Sequence, residues 1–155
     1  MSDDFDPTQH PHRRRNPLTG DWVVVSPQRT KRPWQGQTDD GADDDTPRYD
    51  PGCYLCPGNG RAGDVTNPDY ASTFVFENDF AALLPGVPMP DNDAADDLFE
   101  IAAGDGECRV ICFSPRHDLT LARMSPAEIG VVIQLWKDQF AELNETWEWV
   151  QLFET

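Results

Sequence analysis

Lysine is almost missing from this chain: Lys31 and Lys137 stand beside ten arginines. Long apolar runs are missing altogether. No window approaches ~18 consecutive apolar residues, which excludes a membrane-spanning helix. The opening Met1-Ser2-Asp3-Asp4 has neither the basic nor the apolar region of a secretory leader. Only 38% of the 155 residues are hydrophobic, and 14 prolines with 11 glycines interrupt the chain at about one residue in six. That density of breakers excludes a long helical rod, a coiled coil or a repeat array. What is left is the expectation of one cytoplasmic, soluble domain that mixes α and β structure.

Charge of one sign is scarce too. Twelve basic residues face 28 acidic ones, a formal charge of −16, and aspartate outnumbers glutamate 20 to 8. Short carboxylates with little lysine suit a surface kept soluble in high salt. At low ionic strength such a chain repels itself, and bulk nucleic-acid binding is excluded by the sign. The few cations are concentrated. Residues 13–34 hold six of them against Asp21 alone, a net of +5. A positive island in an acidic protein calls for something negative, either a phosphate ligand or a partner's acidic face.

Residues 1–21 read as an irregular leader, broken by Pro7, Pro11 and Pro17 and closed by the turn signal Asn16-Pro17-Leu18-Thr19-Gly20. Branched or apolar runs predict strands over Trp22–Val25, Thr73–Glu77, Phe80–Leu84, Cys108–Phe113 and Trp149–Phe153. Residues 38–50 and 85–97 are acidic, breaker-rich and expected to be surface loops. Ser125 opens the clearest helix: Ser125 as N-cap, Pro126 at the first helical position, and Glu128 completing a capping box. Ile129, Val132, Ile133, Trp136, Phe140 and Leu143 recur at intervals of three and four and predict one buried stripe. An apolar strand that ends at Phe153, two residues before the last, reads as a truncated chain.

Cys53-Tyr54-Leu55-Cys56 is a C-x-x-C in a turn-rich segment, a spacing that lets two thiolates share one metal. A redox role would need a helix starting inside the motif, and Pro57-Gly58-Asn59-Gly60 opposes one. A structural disulfide does not suit a cytosolic chain. His117, just beyond the strand ending at Phe113, either returns to the thiols as a further donor or is an ordinary loop histidine. Cys108 and Cys112 share one face of a strand and read as small core residues. His10-Pro11-His12 lies in the broken leader and reads as surface. Arg29 and Arg32 either clamp a phosphate, to which guanidinium forks are matched, or are solvated charge. Asn78 and Asp79 either cap a turn or read a ligand's hydroxyls or base edge.

Several strings occur in a fixed order: His10-Pro11-His12-Arg13-Arg14, Asn16-Pro17-Leu18-Thr19-Gly20, Val25-Ser26-Pro27, Arg29-Thr30-Lys31-Arg32-Pro33-Trp34-Gln35-Gly36, Cys53-Tyr54-Leu55-Cys56, Asn67-Pro68-Asp69-Tyr70, Asn78-Asp79-Phe80-Ala81-Ala82-Leu83 and Arg109-Val110-Ile111-Cys112-Phe113-Ser114-Pro115. Together they resemble the N-terminal half of the galactose-1-phosphate uridylyltransferase family, of the histidine-triad superfamily. The likeness runs from about His10 to Glu154.

The resemblance implies an α+β fold: a histidine-triad-like antiparallel half-barrel sheet with packed helices, incomplete at the C-terminus. Residues 1–155 would be a truncated N-terminal domain. The implied activity is uridylyl transfer between UDP-glucose and galactose 1-phosphate, in a homodimer, through a uridylylated histidine. It assigns Cys53, Cys56 and His117 to zinc, and Ala62, Asn78 and Asp79 to the nucleoside. Arg29, Thr30, Lys31 and Arg32 go to the nucleotide-sugar phosphates, reaching the neighbouring subunit's site. The nucleophile, the fourth zinc ligand and a second, iron site belong to a run expected after Thr155, so no catalytic residue is assigned here and the chain alone is expected to be inactive. The family commonly ends this stretch Phe-Glu-Asn, where this chain has Phe153-Glu154-Thr155. The alternative from another class is a non-catalytic zinc-binding or interaction module on the same fold. A third is a related transferase acting on other nucleotides.

Overall fold

A computed structural model describes residues 4–32, 46–90 and 98–154. Most of the two expected acidic loops, residues 38–45 and 91–97, lies outside the described residues, as does the string Pro33-Trp34-Gln35-Gly36. Among the described residues, five strands and one α-helix follow in chain order: β1 (His12–Arg15), β2 (Trp22–Val25), β3 (Phe74–Glu77), β4 (Ile101–Ala103), β5 (Arg109–Cys112) and α1 (Pro126–Asn144). They form a three-stranded sheet in the order β2-β1-β4 and a two-stranded sheet of β3 and β5. The chain divides into two compact units, Met1–Gln37 with Glu77–Val110 and Thr38–Phe76 with Ile111–Thr155. The architecture is α+β, as expected.

In the first unit the leader is not irregular. β1 pairs antiparallel with β2, His12 facing Val25 and Arg15 facing Trp22, and on its other side with β4, His12 facing Ala103. The sequence His12-Arg13-Arg14-Arg15 has no apolar alternation, so periodicity is blind to it. Pairing on both edges makes it a strand. Asn16 then closes the hairpin: its carbonyl accepts from the Gly20 N–H at 2.8 Å, its Oδ1 from the Leu18 N–H at 3.0 Å, and Gly20 takes a φ of +80°.

His12 corrects a second expectation, since it is fully buried. Arg14 Nε can only donate, so the His12 Nε2 that it meets at 3.0 Å is the acceptor. The proton therefore sits on Nδ1, which donates to the His10 carbonyl at 2.9 Å. Phe5 meets the ring edge-on at 5.8 Å. A histidine with both nitrogens occupied by its own strand is a core residue. β4, only three residues long, carries no strand signal of its own. It lies against β1 because Gly104 lets the backbones close: the Gly104 N–H donates to the Pro11 carbonyl at 2.9 Å, and a Cβ there would lie 2.7 Å from the Pro11 carbonyl carbon.

Phe80–Leu84 forms no strand. Asn78 Oδ1 accepts from the Phe80 N–H at 2.9 Å, and the Asn78 carbonyl from the Ala81 N–H at 3.1 Å, which curls the chain into a turn. The carbonyls a ladder would use are taken by side chains. Gln28 Nε2 donates to Ala81 at 3.0 Å and Ser26 Oγ to Ala82 at 2.7 Å. A single parallel bridge, Leu84 to Asp105, is all that remains of the expected pairing.

In the second unit α1 begins as read. The Glu128 N–H donates to Ser125 Oγ at 3.3 Å and the Ser125 N–H returns to Glu128 Oε2 at 2.8 Å. Its stripe is only partly covered. Val132 is 1% exposed, whereas Ile133 is 48% and Phe140 44% exposed. Ile133, Trp136, Lys137, Phe140 and Leu152 line an open groove of about 430 Å³. The expected strand over Trp149–Phe153 is irregular, with Trp149 81% and Phe153 75% exposed. Its apolar pattern suits a strand, but among the described residues none pairs with it.

Two glycine substitutions of opposite sign test this packing. Gly104→Ala drives a methyl into the Pro11 backbone and should cost about 1–3 kcal/mol. Gly130→Ala, in α1 with nothing within 4 Å of the new Cβ, should instead stabilise by roughly 0.5–1 kcal/mol. Urea midpoints of the two variants provide the measurement.

Candidate metal centre

The centre starts from a turn that cannot become a helix. Pro57 and Gly58 stop it on one side, and Gly58 takes a φ of +74°. Cys53 and Cys56 close a reverse turn, the Cys56 N–H donating to the Cys53 carbonyl at 3.2 Å, while the Leu55 N–H points at Cys53 Sγ at 3.4 Å. Both sulfurs thus leave the turn on one side. The strand β5 then delivers Ser114-Pro115-Arg116-His117, and the His117 N–H docks on the Arg48 carbonyl at 2.9 Å. His117 Nδ1 comes to 3.7 Å from Cys56 Sγ, and one ligand atom from each of Cys53, Cys56 and His117 lies within 4.8 Å of the others.

Those separations fit a metal. Tetrahedral zinc with Zn–S near 2.3 Å and Zn–N near 2.0 Å places its ligand atoms about 3.5–3.8 Å apart. Asp50 Oδ2 lies 4.0 Å from His117 Nε2, on the ring edge away from the sulfurs. Arg116 and Asp118 flank the histidine as a fork-to-fork pair, at 2.9 and 2.5 Å. Hydrogen bonding to Arg116 holds the Asp118 carboxyl below its ordinary range.

All four cysteines are free thiols. Cys56 is buried and its thiol is pushed up, first by burial and further by Cys53 beside it. Cys112 is buried and its thiol is raised for the same first reason. Cys108 is half-buried. Neither Cys108 nor Cys112 belongs to the three-donor group.

The other candidate residues fall in two places. Arg29, Thr30, Lys31 and Arg32 lie on an exposed 3-10 turn, Pro27–Lys31, and its C-cap in the first unit. Gln28 and Ser26 tie that turn to the loop carrying Asn78 and Asp79. Two of the predicted clusters are thereby brought together. Asn78 caps its turn, as one of its two readings has it. Ala62 lies in the second unit, on an exposed turn where Gly63 and Asp64 both take positive φ. The positive island splits by use. Arg13 stacks over Trp22 at 5.6 Å, Arg14 serves His12 and Arg15 pairs with Glu100. For Arg29, Lys31 and Arg32 the side chains meet no such partner among the described residues.

The fold has solved counterparts. A uridylyltransferase structure superposes with a TM-score of 0.54 at 21% identity, over 87% of this chain and 36% of that one. A uridylyltransferase mutant gives 0.56 at 20%, over 84% and 34%. In class, then, the chain has the α+β fold of the uridylyltransferases. Residues 3–155 match the model of the galactose-1-phosphate uridyl transferase N-terminal domain, and the chain belongs to that family. It is 51% identical to the galactose-1-phosphate uridylyltransferase of Haemophilus influenzae and 52% to a probable one of Drosophila melanogaster, each over 97% of its own length. It is 41% identical to that of Saccharomyces cerevisiae over 99%. The chain spans 43–45% of the length of these relatives.

The difference in burial between the two thiols has a readout. In metal-free chain, iodoacetamide should label Cys53 before Cys56, and labelling of Cys56 should require a higher pH, because its raised thiol yields less thiolate at any given pH. Peptide mass spectrometry across a pH series measures the order.

Proposed function

We propose that this chain is the zinc- and nucleotide-binding N-terminal part of a protein that transfers a uridylyl group between UDP-glucose and galactose 1-phosphate. The observation that carries this reading is the 51% identity to the Haemophilus influenzae relative across 97% of the chain. Zinc follows from the donors: two thiolates and an imidazole suit it, whereas calcium and magnesium call for oxygen. Cys53, Cys56 and His117 would hold the ion, and the fourth ligand would come from the family sequence following Thr155. When bound there, zinc supplies a structural cross-link between the turn and the loop after β5.

The remaining roles rest on chemistry. Exposed guanidinium forks at Arg29 and Arg32, with Thr30 and Lys31 between them, suit phosphate oxygens. Their turn is tied to the loop holding Asn78 and Asp79, which would take the nucleoside. A homodimer would let these arginines serve a neighbouring subunit. The two antiparallel segments of sheet would be the start of a half-barrel completed downstream, where the nucleophilic histidine and the iron site would also lie, in a cytoplasmic enzyme.

Two measurements test this reading. The 155-residue chain should release no glucose 1-phosphate from UDP-glucose, whereas a polypeptide extended to the length of its relatives should turn over. Arg29→Ala with Arg32→Ala in the extended protein should lower kcat/KM by about 10²–10³-fold, the scale of lost transition-state charge stabilisation. Turnover by the short chain, or an inert extended protein, would refute the proposal. For the metal, the dialysed chain should hold zinc in a one-to-one ratio only while free zinc is present, since three donors leave a position open. Cys53→Ser should abolish it, as read by elemental analysis.

A further inference from the structure

The C-x-x-C turn is held from behind in a way that the ligand set does not explain. Each of its carbonyls is occupied by a side-chain donor from outside the turn. Asn59 Nδ2 donates to Cys53 O at 2.7 Å and to Asp50 O at 2.8 Å. Asn67 Nδ2 donates to Tyr54 O at 2.9 Å and to Cys56 O at 3.0 Å. Tyr70 Oη donates to Leu55 O at 2.7 Å. These donors are themselves fixed. Tyr49 Oη donates to Asn59 Oδ1, which settles which way that amide faces. Asn67 is 3% exposed, and its backbone N–H donates to the Asn59 carbonyl at 2.9 Å. The Tyr70 ring stacks on Phe74 at 5.2 Å, and Phe74 on Phe76 at 5.4 Å, anchoring the hydroxyl to β3.

A peptide plane is rigid, so a Cα whose planes on both sides are held has its Cα–Cβ direction fixed as well. Four carbonyls pinned in succession hold the Cβ atoms of Cys53 and Cys56 on one side of the turn and leave each sulfur only its χ1 rotation. Left to itself, a four-residue loop beside Gly58 and Gly60 would sample many such directions, and a metal would have to select among them. Burying an asparagine amide is costly unless its hydrogens are used. Here buried Asn67 directs both of its hydrogens at the turn, and half-buried Asn59 directs one there and the other at Asp50 O.

We propose that Asn59, Asn67 and Tyr70 are positioning residues for the metal, whose side-chain donors set the Cα–Cβ directions of both cysteines before an ion arrives. This inference rests on the reading of Cys53, Cys56 and His117 as metal ligands. The three residues touch the backbone of the turn and none of the ligating atoms. Their effect would be on affinity and on coordination geometry.

Cobalt(II) provides the test, because its charge-transfer and ligand-field bands report both quantities in the 155-residue chain without any activity measurement. Tyr70→Phe keeps the ring on Phe74 and deletes one donor. Asn67→Asp is nearly isosteric and replaces both donated hydrogens by an oxygen facing two carbonyls. Each should weaken cobalt binding about 10–100-fold, with ligand-field bands shifted from those of the parent. Gly104→Ala, a destabilising change in the first unit, is the control and should leave affinity and bands unchanged. Circular dichroism checks that the variants are folded, and if Asn67→Asp is not, Tyr70→Phe decides alone. Parent-like affinity and bands in the folded variants would overturn the positioning role while leaving the metal reading standing. An equal loss in Gly104→Ala would also overturn it, by showing that overall stability sets the affinity. A parent chain with no cobalt bands would overturn the metal reading and the inference together.

Discussion

One buried and one half-buried asparagine amide and a tyrosine hydroxyl, aimed at the backbone of a four-residue turn, are the contacts on which the candidate metal centre depends. A thiol has no preferred partner in a loop and points wherever its Cα directs it. The turn from Cys53 to Cys56 has glycines beyond it and no helix to stiffen it, so its conformation must come from elsewhere. It comes from Asn59, Asn67 and Tyr70. His117 is positioned separately, through its own N–H on the Arg48 carbonyl. Two independently held segments thus converge on one point, which is what makes three donors at ion-binding separation more than a chance cluster of polar groups.

The first unit solves a related problem with different materials. β1 is a strand of one histidine and three arginines, a composition that would normally stay in water. It sits between β2 and β4 because each polar group has a local use. His12 is satisfied by His10 and Arg14, Arg13 covers Trp22, and Arg15 pairs with Glu100. Burying His12 without those two hydrogen bonds would cost more than its packing returns. The cationic turn beyond β2 is built the opposite way. Its backbone and its Ser26 and Gln28 side chains are tied down, and its exposed Arg29 and Arg32 meet no such partner among the described residues. One stretch of positive charge is therefore built in two ways, and composition alone cannot separate them.

What the sequence made legible follows the same division. Branched runs marked β2, β3 and β5, and the Ser125-Pro126-Glu128 cap marked the start of α1, because those signals are local. The Cys53 and Cys56 pair was visible from spacing, and His117 joined it only through the family likeness. β1 was hidden by its polarity and β4 by its brevity, since both are strands through pairing. The apolar stretch Phe80–Leu84 misled because its carbonyls are captured by Ser26 and Gln28, more than 50 residues away. Trp149–Phe153 misled for the converse reason, a strand pattern lacking a neighbour among the described residues. Asn59, Asn67 and Tyr70 carried no readable role, although Asn67 and Tyr70 stand in a string that bears the resemblance. A hydrogen bond to a carbonyl leaves no trace in residue type.

The half-covered face of α1 has a bearing on how this polypeptide behaves as a material. Ile133, Trp136, Phe140 and Leu152 offer water a greasy trough, while the formal charge of −16 pushes copies of the chain apart. The two forces respond oppositely to electrolyte: added ions screen the push, with a Debye length falling from about 10 Å at 0.1 M to about 3 Å at 1 M, and leave the pull between troughs intact. The chain's colloidal behaviour is therefore governed by the salinity of its surroundings as much as by its fold.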